Sequence, residues 1–211
     1  MPLINYKTYT CCFLAILTVI SIPTGIAAKR QPVQSLLEMR QDRVIVQKWD
    51  LSCGAAALAT ILNYQHQDPV KEKEIANALI QRKEYIDDPL LVRAREGFSL
   101  LDLKRFVDKR GYQGLGFGKL ELADLIERAP VMVPVDLAGY NHFVIFRGVK
   151  NNRVLVADPA WGNRTFLLEK FLDAWIEYPK FGKVGFVVMA KNNKIIENQL
   201  TPRSKDFVFL R

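Results

Sequence analysis

The chain has 211 residues, 49% of them hydrophobic and 25% charged, with a formal net charge of +8. This length and balance exclude a disordered or fibrous chain and leave room for one core, or at most two domains. The basic pairs Arg82-Lys83, Lys104-Arg105 and Lys109-Arg110 sit among Asp and Glu on helix faces, and no aromatic-interleaved basic stripe marks a nucleic-acid partner.

Residues 1–28 read as a segment apart from the core. Lys7 leads into an apolar run from Cys11 to Pro23, and Gly25 and Ala27 then supply the small residues of a signal-peptidase site. A membrane-spanning helix needs about 20 apolar residues, and the run stops at Pro23 and Gly25, so the pattern is that of a removable secretory signal with no stable membrane insertion afterwards. Its removal, for which the periplasm is the expected destination, takes away Cys11 and Cys12. Cys53 is then the one thiol left, and a solitary cysteine in an oxidising compartment is either buried and inert or kept for its reactivity.

Residues 29–46 read as an extended lead-in closing on Val44-Ile45-Val46. An alanine-rich helix is expected from Cys53 to Tyr64, and a second from Asp68-Pro69 to Lys83, with Asp68 as cap and Pro69 at the first helical position. Tyr85 to Phe98 reads as an irregular, charged connection. Ser99 and Asp102 form a capping pair for a helix whose stripe is Leu100, Leu103, Phe106 and Val107 and whose stop is Gly111. The glycines from Gly114 to Gly118 read as loop or bulge residues, and a fourth helix spans Glu121 to Arg128.

The period then changes from helix to strand. Val131 to Val135 is a strand in which Pro134 argues for an edge or a bulge. His142 to Val149 and Arg153 to Asp158 form a hairpin around Lys150-Asn151-Asn152. Leu168 to Tyr178 returns to helix, Val184 to Ala190 gives a last strand, and 192–211 reads as a C-terminal tail without an assigned role. Helices followed by an antiparallel sheet predict an α+β domain over residues 29–191, a helical half packed on a β half.

The chemistry centres on Cys53. At the first turn of a helix, free backbone N–H groups and the positive end of the helix dipole favour a thiolate, and Gly54 is expected to leave the approach to the sulfur open. A histidine partner matters more, and two candidates exist. His66 follows a helix whose 12 or so residues rise about 18 Å, so it sits at the wrong end. His142 opens a strand, where a sheet edge presents it. With a turn centred on Asn151-Asn152, Ile145 faces Asp158 and the carboxylate lies about one pleat from His142. It can there fix the imidazole tautomer. Gln47, upstream of the cysteine, supplies an amide that can donate to an oxyanion beside the Cys53 backbone N–H.

Gln47, then Cys53-Gly54-Ala55-Ala56-Ala57-Leu58, Asn141-His142-Phe143-Val144 and Asp158-Pro159-Ala160 with Gly162 together resemble the bacteriocin-processing, double-glycine-leader cysteine peptidases, over about Val44 to Ala190. The resemblance implies a papain-like fold, with Cys53 as nucleophile, His142 as general base, Asp158 as its orienter and Gln47 as oxyanion donor. It implies cleavage of an exported polypeptide after small residues such as Gly-Gly. No cofactor is expected, and a zinc site on Cys53, His142 and Asp158 is the weaker reading because no CxxC or HxxxH pair anchors one. The family usually carries an acid immediately before the cysteine, where this chain has Ser52. The signal and the lack of a transporter resemble the free-standing exported branch of the family. Two other readings stand beside this one, a binding or chaperone module on the same fold and a thiol enzyme acting on cell-wall peptides.

Overall fold

The computed structural model describes residues 34–190 and 196–207, so the expected signal segment lies outside the described residues. Its helices are α1 (Leu36–Gln41), α2 (Cys53–Thr60), α3 (Glu72–Ile80), α4 (Lys83–Asp87), α5 (Leu91–Ala94), α6 (Leu100–Lys109), α7 (Leu122–Arg128) and α8 (Leu168–Ala174). Its strands are β1 (Gln113–Phe117), β2 (Val131–Asp136), β3 (Asn141–Lys150), β4 (Arg153–Asp158), β5 (Gly162–Leu167), β6 (Glu177–Tyr178), β7 (Gly182–Lys183) and β8 (Gly185–Met189). Six of the strands form one antiparallel sheet in the order β1-β8-β2-β3-β4-β5.

The sheet buries both faces. Met132, Ile145, Ala157 and Phe186 pack on one side with Ala55, Leu58 and Leu62 of the cysteine helix, Ile75 and Leu79 of α3, and Leu103 and Val107 of α6. Val133, Val135, Val144, Phe146, Val154 and Val156 pack on the other with Leu125 of α7 and Phe171 and Trp175 around α8. Each large apolar side chain so buried contributes about 1.5 to 3 kcal/mol. This is the expected α+β arrangement, and the order helices-first holds apart from β1 and α8.

Several elements differ from the sequence reading. The cysteine helix ends at Thr60 and runs on as a π-helical turn, Ile61–Gln65. Here Thr60 Oγ1 and Asn63 Nδ2 reach back to the carbonyls of Ala56 and Ala59. The next helix starts at Glu72 rather than at Asp68-Pro69, because the Asp68 carboxylate turns to Arg110 (2.7 Å) and to the Tyr112 hydroxyl (3.1 Å) instead of capping. α4 begins at Lys83 and runs into the connection expected from Tyr85, which also contains α5. The lead-in is not extended throughout but holds α1, set by a Ser35–Glu38 capping box. The capping box of Ser99 and Asp102 is present as expected.

The glycines from Gly114 to Gly118 belong to an edge strand, β1, rather than to a loop. Gly162–Leu167 adds a strand that the sequence reading passes over, and the helix from Leu168 stops at Ala174. Pro134 lies in a strand that is central by order, yet the rule it breaks is satisfied locally. The ladder between β2 and β8 consists of Met132 opposite Phe186, so β8 has left before Pro134 would need an N–H.

Two adjacent positive-φ residues, Asn151 (49°) and Asn152 (57°), make the hairpin turn that the sequence announces. Lys150, Val149 and Gly148 pair with Arg153, Val154 and Leu155, but Phe146 and Ile145 then pair with Val156 and Ala157. Arg147 is the extra residue of a β-bulge. Its buried guanidinium donates from Nε to the Leu200 carbonyl (2.8 Å) and from Nη1 to Asn163 Oδ1 (2.5 Å), and Nη2 lies 3.5 Å from Asp206. Pro202 comes so near that a Cβ on Gly148 would lie 2.9 Å from its ring. Leu200 is fully buried in the core, and Gln65 bonds the backbone of Glu197 and Gln199, so residues 196–207 are joined to the sheet.

Candidate active site

Cys53 opens α2 and His142 stands near the start of β3; both line a cavity of about 680 Å³ walled by Phe98, Leu100, Phe117, Phe143, Phe181 and other residues. Cys53 is 2% exposed, His142 4% and Asp158 0%. Gly54 is also buried, and it serves packing rather than access to the sulfur. A Cβ there would meet Leu103 at 3.3 Å and Phe143 at 3.4 Å, so its absence lets α2 lie close on β3 and α6.

The bulge decides whether the acid can reach the base. Strand side chains alternate faces, so the bulge-free register, with Ile145 opposite Asp158, would send the carboxylate to the face His142 does not occupy. With Arg147 inserted, Ile145 faces Ala157 and Asp158 falls on the face of Val144 and His142. His142 Nε2 and Asp158 Oδ1 are 2.7 Å apart as a result. The expected register is thus corrected by one residue, and the correction creates the contact.

Asp158 is held on other sides too. Oδ1 accepts the Ala160 backbone N–H at 2.8 Å, and Oδ2 lies 3.2 Å from Arg164 Nη1. Burial alone would raise its pKa, but the His142 hydrogen bond and charge, the Ala160 N–H and the Arg164 guanidinium together hold it below the ordinary carboxylate value. Burial likewise pulls His142 down, but the Asp158 bond, the nearby Cys53 sulfur and the Asp158 charge outweigh it and lift the ring from 6.5 to about 9. Nε2–H donates to the carboxylate, and Nδ1 is buried with no partner at hydrogen-bonding geometry among the described residues. The Cys53 sulfur acts on the ring without completing such a bond in this state. Nδ1 is therefore the ring nitrogen that exchanges a proton with the sulfur, and with the ring lifted to about 9 it holds that proton near neutral pH.

Gln47 is placed differently. Its backbone N–H donates to the Pro159 carbonyl at 2.7 Å, which ties the cysteine's approach loop to the turn after Asp158. Its side-chain amide donates to the Trp49 carbonyl at 3.1 Å, and its Oε1 is buried without a partner among the described residues. The structure thus brings Cys53, His142 and Asp158 together directly and joins Gln47 to them through its main chain. Arg164 and Glu72, which takes a hydrogen bond from Ser52, are passed over by the sequence reading. An alternating reading of Gly162–Leu167 as a third hairpin strand finds the first, since Arg164 pairs with Val156 on the face of Asp158. No local pattern marks the second.

The sequence profile of the peptidase C39 family matches residues 41–179. A probable functional amyloid protease, FapD, of Pseudomonas aeruginosa is 36% identical over 156 residues, 74% of this chain and 66% of that protein. A protein of the same description from Pseudomonas fluorescens is 35% identical over 74% of this chain and 67% of its own length. The chain thus spans about two thirds of these relatives. Among solved structures, the double glycine motif protease of an AMS/PCAT transporter, in complex with its leader peptide, superposes with a TM-score of 0.52 at 23% identity, covering 69% of this chain and 89% of that one. The peptidase domain of Streptococcus ComA gives a TM-score of 0.53 at 16% identity, covering 69% and 96%. These two likenesses establish the fold.

Proposed function

Because this chain belongs to the peptidase C39 family, we propose that it is a cysteine endopeptidase whose substrate is an exported polypeptide. The observation that carries the reading is the buried His142–Asp158 contact of 2.7 Å beside Cys53 at the cavity wall. In the proposed reaction, His142 Nδ1 holds the proton that has left the thiol, and the Cys53 sulfur attacks a peptide carbonyl. The oxyanion is received by the Cys53 backbone N–H and the Gln47 amide. His142 passes its proton to the departing amine, and water, deprotonated by the same ring, then cleaves the thioester. Asp158 fixes the tautomer and stabilises the imidazolium.

The burial of the sulfur supports small residues such as Gly-Gly before the scissile bond, since a bulky side chain there would keep the carbonyl away. The curated relatives support a polypeptide of functional-amyloid assembly as the substrate. The signal pattern of residues 1–28 supports a periplasmic site of action, and among the described residues no helix is long and apolar enough to cross a membrane. The test is mass spectrometry of labelled N-termini in exported proteins from cells carrying the wild-type chain or Cys53→Ala. New N-termini that depend on Cys53 are expected. Identical sets in the two strains would refute the reading.

A further inference from the structure

We propose that Glu72 is a positioning residue for the oxyanion site, holding in place the residue after Gln47 and the residue before Cys53. The proposal rests on the peptidase reading above and adds to it a group on a separate helix. Glu72 is the first residue of α3 and is 4% exposed. Its Oε1 accepts the Lys48 N–H at 3.0 Å and the Ser52 hydroxyl at 2.5 Å, and Oε2 lies 3.1 Å from the same Lys48 nitrogen. Ser52 Oγ is also 2.6 Å from the Trp49 carbonyl, but it has a single proton, and the charged oxygen is the stronger acceptor.

One carboxylate therefore closes the loop from Lys48 to Ser52 upon itself. At its near end, Gln47 is fixed on both sides of its Cα, by its own N–H on Pro159 and by the carboxylate on the Lys48 N–H that follows. At its far end, the Ser52 side chain is fixed, and with it the plane of the Ser52–Cys53 peptide, whose N–H is the second proposed donor. Leu51 between them is held at φ 64°, an αL conformation that a side chain adopts at a cost. Its carbonyl is pressed against Gly97, where a Cβ would lie 2.9 Å away. A carboxylate taken out of water is costly, and a loop that needed stability alone could turn its amides to water. A charge placed here gives rigidity to the two residues that flank the nucleophile's donors.

The experiment compares two reactions of Cys53 that differ in their need for an oxyanion site. Iodoacetamide alkylates the sulfur by displacing iodide and develops no oxyanion. p-Nitrophenyl acetate acetylates it through a tetrahedral intermediate that expels p-nitrophenolate. In Glu72→Gln, acetylation is expected to slow by about 10-fold or more while alkylation at the same pH stays within about twofold. Ser52→Ala, which removes one of the carboxylate's partners, should show the same selective loss in smaller degree, and it decides the matter if Glu72→Gln does not fold. Unchanged acetylation, or an equal fall in both reactions, overturns the proposal while leaving the peptidase reading intact. If the wild-type chain is acetylated no faster than Cys53→Ala, the peptidase reading itself fails, and this one with it.

Discussion

Replacing Asp158 with Asn tests the acid–base pair without presupposing a substrate. His142 titrates at about 9 in the folded chain against an ordinary 6.5, because the carboxylate at 2.7 Å and the neighbouring sulfur overcome the cost of burial. A folded-state value raised in this way stabilises the fold fully below 6.5, and the stabilisation is lost as pH rises through about 9. At about 1.4 kcal/mol per pH unit, about 3 kcal/mol of it is lost between about pH 6 and about pH 9.5. For a domain of this size 1 kcal/mol corresponds to about 2 to 4 °C in Tm, so the wild-type advantage over Asp158→Asn should be about 6 to 12 °C larger at about pH 6 than at about pH 9.5. Asn keeps an oxygen that can accept from the Ala160 N–H, and whatever the change does to the contacts with Ala160 and Arg164 is the same at both pH values and drops out of the comparison. Thermal unfolding followed by circular dichroism reads the two gaps. Gaps of equal size, or a gap that widens with pH, would show that His142 draws no stability from the carboxylate.

Arg164→Met removes the guanidinium 3.2 Å from Asp158, one of the influences that lower that carboxyl's pKa. The stability contributed by an acid depressed in the folded state is lost as pH falls through its folded value. Acid unfolding of the variant should therefore begin at higher pH than in the wild type. An unchanged acid midpoint would contradict the role given to Arg164. Leu200→Ala empties a fully buried position in the segment that follows the sheet, and should cost about 2 to 5 kcal/mol in urea unfolding. A loss under about 0.5 kcal/mol, the scale of a surface substitution, would mean that this segment is not part of the core.

Much of this architecture is legible in the sequence wherever local chemistry decides. The Asn151-Asn152 turn, the Ser99–Asp102 capping box and the alanine-rich helix behind Cys53 each follow from the residues concerned. Where distant contacts decide, the reading departs from the structure. Asp68 caps nothing because Arg110 and Tyr112 claim its carboxylate, Pro134 sits inside the sheet because β8 diverges, and the glycines of β1 form a strand because β8 offers a partner. The candidate site follows the same division. Cys53, His142, Asp158 and Gln47 stand out by type and local setting, whereas the bulge that sets the face of Asp158 depends on Arg147 reaching Leu200 and Asn163.

That dependence limits how the pair could be transplanted. A designer who copied the hairpin from Asn141 to Asp158 onto another scaffold would carry the turn intact but leave the Arg147 guanidinium without the carbonyl of Leu200 and the amide of Asn163. An ionised group stranded in an interior is expelled or forces a rearrangement. Expulsion here erases the additional residue and rotates the acid away from its imidazole. Acid and base are thus a property of the whole sheet with its C-terminal brace, not of a portable loop.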